Sequence, residues 1–169
     1  MTRVSVFGGT GFGGTQVVTE ALRRGHDVTV LSRSAPADPI DGVTYLQGTI
    51  SDRAAIERAT ADAEVIVGAI SPRGATLGTL EEGYGALATR AAELGARLIV
   101  IGGFGSLRYE EGGPRVIEGV DALGLPADHV AEGKEMDRVR AALMEQAPDA
   151  LDWLFVCPAA VFGAYTEPT

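Results

Sequence analysis

The residues of this 169-residue chain most suited to chemistry are glycines. The run Gly8-Gly9-Thr10-Gly11-Phe12-Gly13-Gly14 follows the apolar residues 4–7 and precedes a helix-like stretch over residues 15–24. Glycines at 8, 11 and 14 let the backbone turn sharply after a strand, approach a bulky anion closely and seat the next helix tightly on the sheet. A helix starting at Gly11 or Phe12 would then aim its free N–H groups and the positive end of its dipole at that anion. The run holds no lysine and does not end in Gly-Lys-Ser/Thr, which excludes a phosphate loop of the ATPase type. Coming after the first strand, the motif implies a dinucleotide pyrophosphate held against bare main chain.

The second expected strand ends Leu31-Ser32-Arg33, with Arg33 nineteen residues beyond Gly14. An acidic residue there would bind ribose hydroxyls, whereas an arginine beside a hydroxyl suits a 2′-phosphate, because guanidinium grips phosphate oxygens with a planar fork of donors. NADP(H) is therefore expected in preference to NAD(H).

The elements that must position these groups follow from periodicity. Apolar strands are expected over residues 3–7, 27–32, 44–47, 65–69, 97–101 and 151–157, several of them continuous Val/Ile/Leu runs of the kind buried on both faces. Amphipathic helices lie between them. Residues 15–24 place Val17, Val18, Ala21 and Leu22 on one face before Gly25. A short helix follows Asp52 as cap. Thr79 and Glu82 have capping-box spacing ahead of a helix that turns Tyr84, Leu87, Ala88 and Ala91 inward and stops at Gly95. Residues 127–145 form the last long helix, with Val130, Met136, Val139 and Leu143 inward. The charged run 132–140 reads as its wet face, with Glu135 and Arg138 as a surface pair. Residues 105–126, rich in glycine, read as the longest irregular stretch, a binding loop or surface connection. Strand–helix alternation implies a Rossmann-type α/β fold: a doubly wound parallel sheet in a three-layer α/β/α arrangement, one domain over residues 1–169.

Composition narrows the partners. A net charge of −9 and a pI near 4.7 disfavour nucleic acid, whose binding rests on neutralising phosphates with Lys and Arg. The single cysteine, Cys157, excludes a disulfide framework and a cysteine-rich zinc site, so no metal is expected; as a small apolar filler it suits a reducing cytosol. No apolar run approaches membrane-spanning length and no leader precedes the first strand, so a soluble cytoplasmic protein is expected. Trp153 reads as buried area in the last strand.

Taken together, the glycine run, Ser32-Arg33, Gly48, Gly102-Gly103-Phe104-Gly105-Ser106-Leu107, and Leu151-Asp152-Trp153 leading to Pro158-Ala159-Ala160 resemble the atypical short-chain dehydrogenase/reductase group. Within that group the chain is similar to the NAD(P)H-binding proteins of the NmrA-like and flavin-reductase (biliverdin reductase B) type. The resemblance spans essentially the whole chain. It implies Gly8, Thr10, Gly11, Phe12 and Gly14 around the pyrophosphate, Ser32 and Arg33 at the 2′-phosphate, and Thr49 and Ile50 beside adenine. Relatives commonly carry aspartate where Thr49 stands, which weakens the grip on the adenine amine. Ala69, Ile70 and Ser71 would border the ribose; Gly102, Gly103, Pro158, Ala159 and Val161 would line the nicotinamide end. Relatives continue through a further strand and helices that shape the substrate side, so the C-terminal part of the family fold is expected to be missing from this chain.

Proton transfer is the departure. Typical members of the group pair a tyrosine with a lysine four residues on, the lysine lowering the phenol pKa. Here Tyr45, Tyr84, Tyr109 and Tyr165 have no such lysine, and the sole lysine, Lys134, follows His129 by five residues, a poorly facing spacing. Ser106, orienting a carbonyl or flavin, and His129, supplying a proton near neutral pH, are the candidate catalytic residues. Reductases of flavins and quinones can rely on holding the two rings together while solvent supplies protons. The expected function is an NADPH-dependent reductase of flavin- or quinone-like small acceptors, as monomer or homodimer. The alternatives are a noncatalytic NADP(H) sensor of NmrA-like type acting on a protein partner, and a sugar-nucleotide epimerase or dehydratase, which the missing Tyr/Lys pair disfavours.

Overall fold

In the first strand Val4 and Val6 point one way and Ser5 and Phe7 the other, so each face of the strand needs its own apolar cover. The computed structural model, which describes residues 1–160 and 162, provides it. Strands β1 (Arg3–Phe7), β2 (Asp27–Ser32), β3 (Val43–Gln47), β4 (Val65–Gly68), β5 (Arg97–Ile101) and β6 (Trp153–Val156) form one sheet in the order β3-β2-β1-β4-β5-β6. Every neighbouring pair is parallel. This is the expected Rossmann-type order, and its direction reverses between β1 and β4, where ligands of open α/β sheets bind.

Helices α1 (Phe12–Arg23), α2 (Arg53–Ala59), α3 (Leu80–Leu94) and α4 (Ala127–Gln146) cover the sheet unequally. On one face Val18 and Ala21 of α1 pack with Val4, Val6, Val28, Val30 and Val67. On the other, Ile56 of α2, Tyr84, Leu87 and Ala91 of α3, and Met136, Val139 and Leu143 of α4 pack with Phe7, Leu31, Ile66, Leu98 and Val100. Each such Val, Leu or Ile contributes about 1.5–3 kcal/mol of transfer free energy, which makes these two clusters the main hold on the layers. Because residues 33–42 cross from β2 to β3 without a helix, α1 is the sole helix on its face among the described residues. There the edge strand leaves Leu154 51% and Val156 41% exposed.

Several expectations hold in detail. Asp52 Oδ1 accepts from the Ala55 N–H at 3.1 Å, capping α2, and Gly95 ends α3 in the left-handed conformation, φ 63°. Trp153 packs on the larger core cluster. Others are corrected. The capping box of Thr79 and Glu82 does not form: the Thr79 hydroxyl donates to the Thr76 carbonyl at 2.9 Å and Glu82 is exposed. Glu135 is not on a wet face. It is 1% exposed, on the same side of α4 as Met136, Val139 and Leu143, and Arg138 faces Glu81 at 3.7 Å instead. Glu135 takes over the cap, accepting from the Leu80 N–H at 2.9 Å and the Gly78 N–H at 2.5 Å. The stretch 105–126 is less irregular than expected. It contains tight turns of helix at Phe104–Ser106 and Val116–Leu123 and an antiparallel bridge between Arg108 and Arg115. Among the described residues no helix is long and apolar enough to cross a membrane.

Candidate cofactor site

The glycines after β1 fall into two kinds. Gly8 has φ +83°, and a side chain on it would put Cβ 2.7 Å from the Ala69 carbonyl oxygen; one on Gly9 would stand 2.7 Å from Val30; one on Gly14 would run into the Gly8 carbonyl. These three are required by the protein itself, where α1 sits down on the sheet. Gly11 and Gly13 are different. A Cβ on Gly11 would meet only the Gly8 carbonyl oxygen, at 3.4 Å, and one on Gly13 only the Phe162 ring, at 3.6 Å. The Phe162 ring thus stands at ordinary contact distance from Gly13, whereas Gly11 faces space open apart from that one oxygen.

That space lies at the start of α1, whose first N–H groups have no intrahelical acceptor. No side chain caps them and no acidic residue stands in the first turn. The turn is braced from below: Gly8 N–H donates to the Leu31 carbonyl at 3.1 Å, Gly11 N–H to the Gly8 carbonyl at 3.0 Å, and the Thr15 hydroxyl to the Gly9 carbonyl at 3.1 Å. A bare-backbone concavity ringed by N–H donors at a helix dipole's positive end fits the pyrophosphate of a dinucleotide.

Toward β2 and β3, Arg33 is exposed at the carboxyl end of its strand. Ser32 is buried, its hydroxyl donating to the Ser34 carbonyl at 2.8 Å, so it shapes the turn that presents Arg33. Thr49 is exposed, but the Ile50 side chain is buried in the core against Gly83. At the end of β4, Ala69 N–H donates to the Phe7 carbonyl at 2.8 Å and Ile70 N–H reaches the Tyr84 hydroxyl at 3.5 Å. Tyr84 is fully buried and desolvation pushes its phenol above the ordinary range, against a small opposing effect of the Ile70 N–H. The phenol is thus a neutral brace rather than a proton carrier. Ser71, next along, is exposed.

Beyond β5, Gly102 N–H donates to the Val156 carbonyl at 2.8 Å, and a side chain there would collide with Phe155. Gly103 opens the helical turn that carries Ser106. The Ser106 hydroxyl lies 3.4 Å from Asp137 Oδ1, which also accepts from Arg140 Nε at 2.8 Å and stands 3.5 Å from Arg115 Nε. An aspartate carboxylate only accepts, so the serine proton turns toward Asp137 and its lone pairs remain for a ligand. His129 is exposed in the first turn of α4, on a cavity of about 260 Å³ shared with Pro72, Arg73, Leu77 and Glu132, where Arg73 and Glu132 pair at 2.8 Å. Ser106 and His129 share no hydrogen bond, and Lys134 is held by Asp121 at 2.8 and 2.9 Å. Pro158 is half-buried and Ala159 exposed; Val161 and Tyr165 lie outside the described residues. Burial, and secondarily Asp137, push the Cys157 thiol up against an opposing pull from Arg140, which suits a filler rather than a nucleophile. A larger groove of about 500 Å³ between α3 and α4, around Gly85, Ala88 and Ala142, contains none of the expected site residues.

Sequence reasoning missed Asp137, Arg115, Arg140 and Phe162. Only the i, i+3 spacing of Asp137 and Arg140 carried a local signal, and that signal reads equally as a surface pair.

Known proteins share this architecture. The pattern described as NAD(P)H-binding matches residues 8–166. YwnB of Bacillus subtilis, an uncharacterised protein, is 26% identical over 160 residues, 95% of this chain and 73% of the relative. A solved structure from Streptococcus pneumoniae, provisionally assigned as an NADH-flavin reductase, superposes with TM-score 0.81 at 23% identity over 100% of this chain and 77% of that one. Another, a provisionally assigned exported protein of Burkholderia pseudomallei, is 31% identical with TM-score 0.75 over 95% of this chain and 73% of its own.

Proposed function

The chain belongs to the NAD(P)H-binding family, and on that premise we propose that it is an NADPH-dependent reductase of flat two-electron acceptors of the flavin and quinone class. One observation carries the reading: the bare glycine cradle lies at the β1–β4 switch point, and the described residues place no proton-transfer dyad there. The described tyrosines have no lysine partner and the lysine is tied to Asp121. Carbonyl reduction needs such a dyad; flavin and quinone reduction does not.

When bound, the reduced nicotinamide would supply a hydride, that is two electrons with one proton, to the acceptor, whose second proton would come from solvent. The protein's part is placement. The free N–H groups at the start of α1 hold the pyrophosphate, Gly11 leaves room for it, and Arg33 pairs with the 2′-phosphate, which favours NADP(H) over NAD(H). Gly102, Gly103 and Pro158 border the ring. Ser106, its proton turned to Asp137, accepts an N–H from the ring carboxamide or the acceptor. His129, exposed beside the 260 Å³ cavity, is a proton source for acceptors that need one.

Purified protein with NADPH and a panel of flavins and quinones tests this: loss of NADPH absorbance above the uncatalysed rate is expected, and its absence across the panel overturns the enzyme reading. The missing dyad is also compatible with a second reading, a noncatalytic NADP(H) sensor whose cofactor-bound form changes affinity for a protein partner. In that case NADPH binds without turnover.

A further inference from the structure

β6 is the edge strand, with β5 and β4 between it and β1. At about 4.8 Å per strand, the glycine turn after β1 lies roughly 14 Å from the end of β6. The six residue steps from Val156 to Phe162 span at most roughly 20 Å when extended. Phe162 nevertheless reaches that turn: its ring centroid lies 5.8 Å from that of Phe12, at 78°, and its edge atoms Cε1 and Cζ are the ones that face Gly13. Phe162 therefore lies across the carboxyl ends of β5 and β4 from β6, in an aromatic pair beside the phosphate cradle.

The pair is unusually wet. Phe12 is 48% and Phe162 50% exposed, although two adjacent phenyl rings are strong candidates for burial. An edge-to-face contact uses one face of one ring, so the pair keeps open faces for a third ring. Exposed apolar surface at the rim of a crevice marks an interaction site. We propose that Phe12 and Phe162 form the wall on which the planar ring of the acceptor stacks, so that this pair sets the preference for flat aromatic acceptors. The proposal rests on the reductase reading above.

The test is FMN binding to protein saturated with NADP+, a complex that cannot turn over, followed by equilibrium dialysis for the parent, Phe162→Ala and Phe162→Tyr. NADP+ affinity is measured alongside by calorimetry. Phe162→Ala should weaken FMN about tenfold, as expected for loss of one stacked ring, with NADP+ affinity within about twofold of the parent. Phe162→Tyr should restore FMN binding. Three results overturn the proposal. Unchanged FMN affinity in Phe162→Ala removes the wall but leaves the reductase reading intact. A parallel loss of NADP+ affinity makes the pair a cofactor clasp. No binding by the parent of FMN, or of a naphthoquinone used in its place, removes the reductase reading and the wall together.

Discussion

Glu135, in the middle of α4, accepts a hydrogen bond from the Leu80 N–H, the first of α3, at 2.9 Å, while its other carboxyl oxygen takes the Gly78 N–H at 2.5 Å. Helix starts leave N–H groups that need acceptors. Here the acceptor comes from a neighbouring helix 55 residues on, and it also holds the loop that follows β4. Glu135→Ala strands the buried Leu80 N–H, worth about 1–3 kcal/mol unmade, and releases the part-buried Gly78 N–H, so it should lower stability by about 1–3 kcal/mol in urea unfolding followed by circular dichroism. Glu135→Gln keeps one acceptor and should lose roughly half as much.

The two kinds of glycine separate folding from binding. Gly11→Ala meets only one protein atom within contact range, at 3.4 Å. It should stay within about 1 kcal/mol of the parent in stability, as for an N-cap change, yet bind NADPH at least about tenfold more weakly. Gly14→Ala drives its methyl into the Gly8 carbonyl and should unfold at markedly lower denaturant, before any question of binding. Paired unfolding and calorimetric titrations of the two variants check this.

Arg33 should discriminate cofactors. With its guanidinium removed in Arg33→Ala, NADPH affinity should fall about tenfold or more, the worth of a charge-assisted bidentate contact, while NADH affinity is unchanged. Calorimetry with both cofactors on both proteins decides the matter, and equal affinities in the parent defeat the 2′-phosphate argument.

Tyr84 should set a limit to alkaline stability. Burial raises its phenol in the folded state above the unfolded value of about 10. The folded state therefore keeps the proton that the unfolded chain releases, and stability, full below about pH 10, falls as the pH rises further. Urea midpoints measured from pH 8 to 11 should drop steeply at the upper end for the parent and less for Tyr84→Phe, which cannot ionise. The conservative change also removes the hydroxyl from the Ile70 N–H, so a small loss at pH 8 is expected as well.

What could be read directly from the chain was whatever repeats at short range. Continuous Val/Ile/Leu runs marked the strands, the 3.6-residue period marked α1 and the inward face of α3, and Gly8 to Gly14 marked a turn whose steric demands act within a few residues. Asp52 and Gly95 worked as caps because a cap needs only its own helix. Tertiary structure decided the rest. Glu135 read as solvated because its sequence neighbours are charged, yet its place on the helix beside Met136 and Val139 turned it inward toward donors that sequence distance hid. Ser106 and Asp137, 31 residues apart, and Phe12 and Phe162, which the sheet order brings together, meet only once the strands are paired. Local sterics are written in neighbouring residues; a hydrogen-bond partner or a stacking partner depends on which elements the core draws side by side.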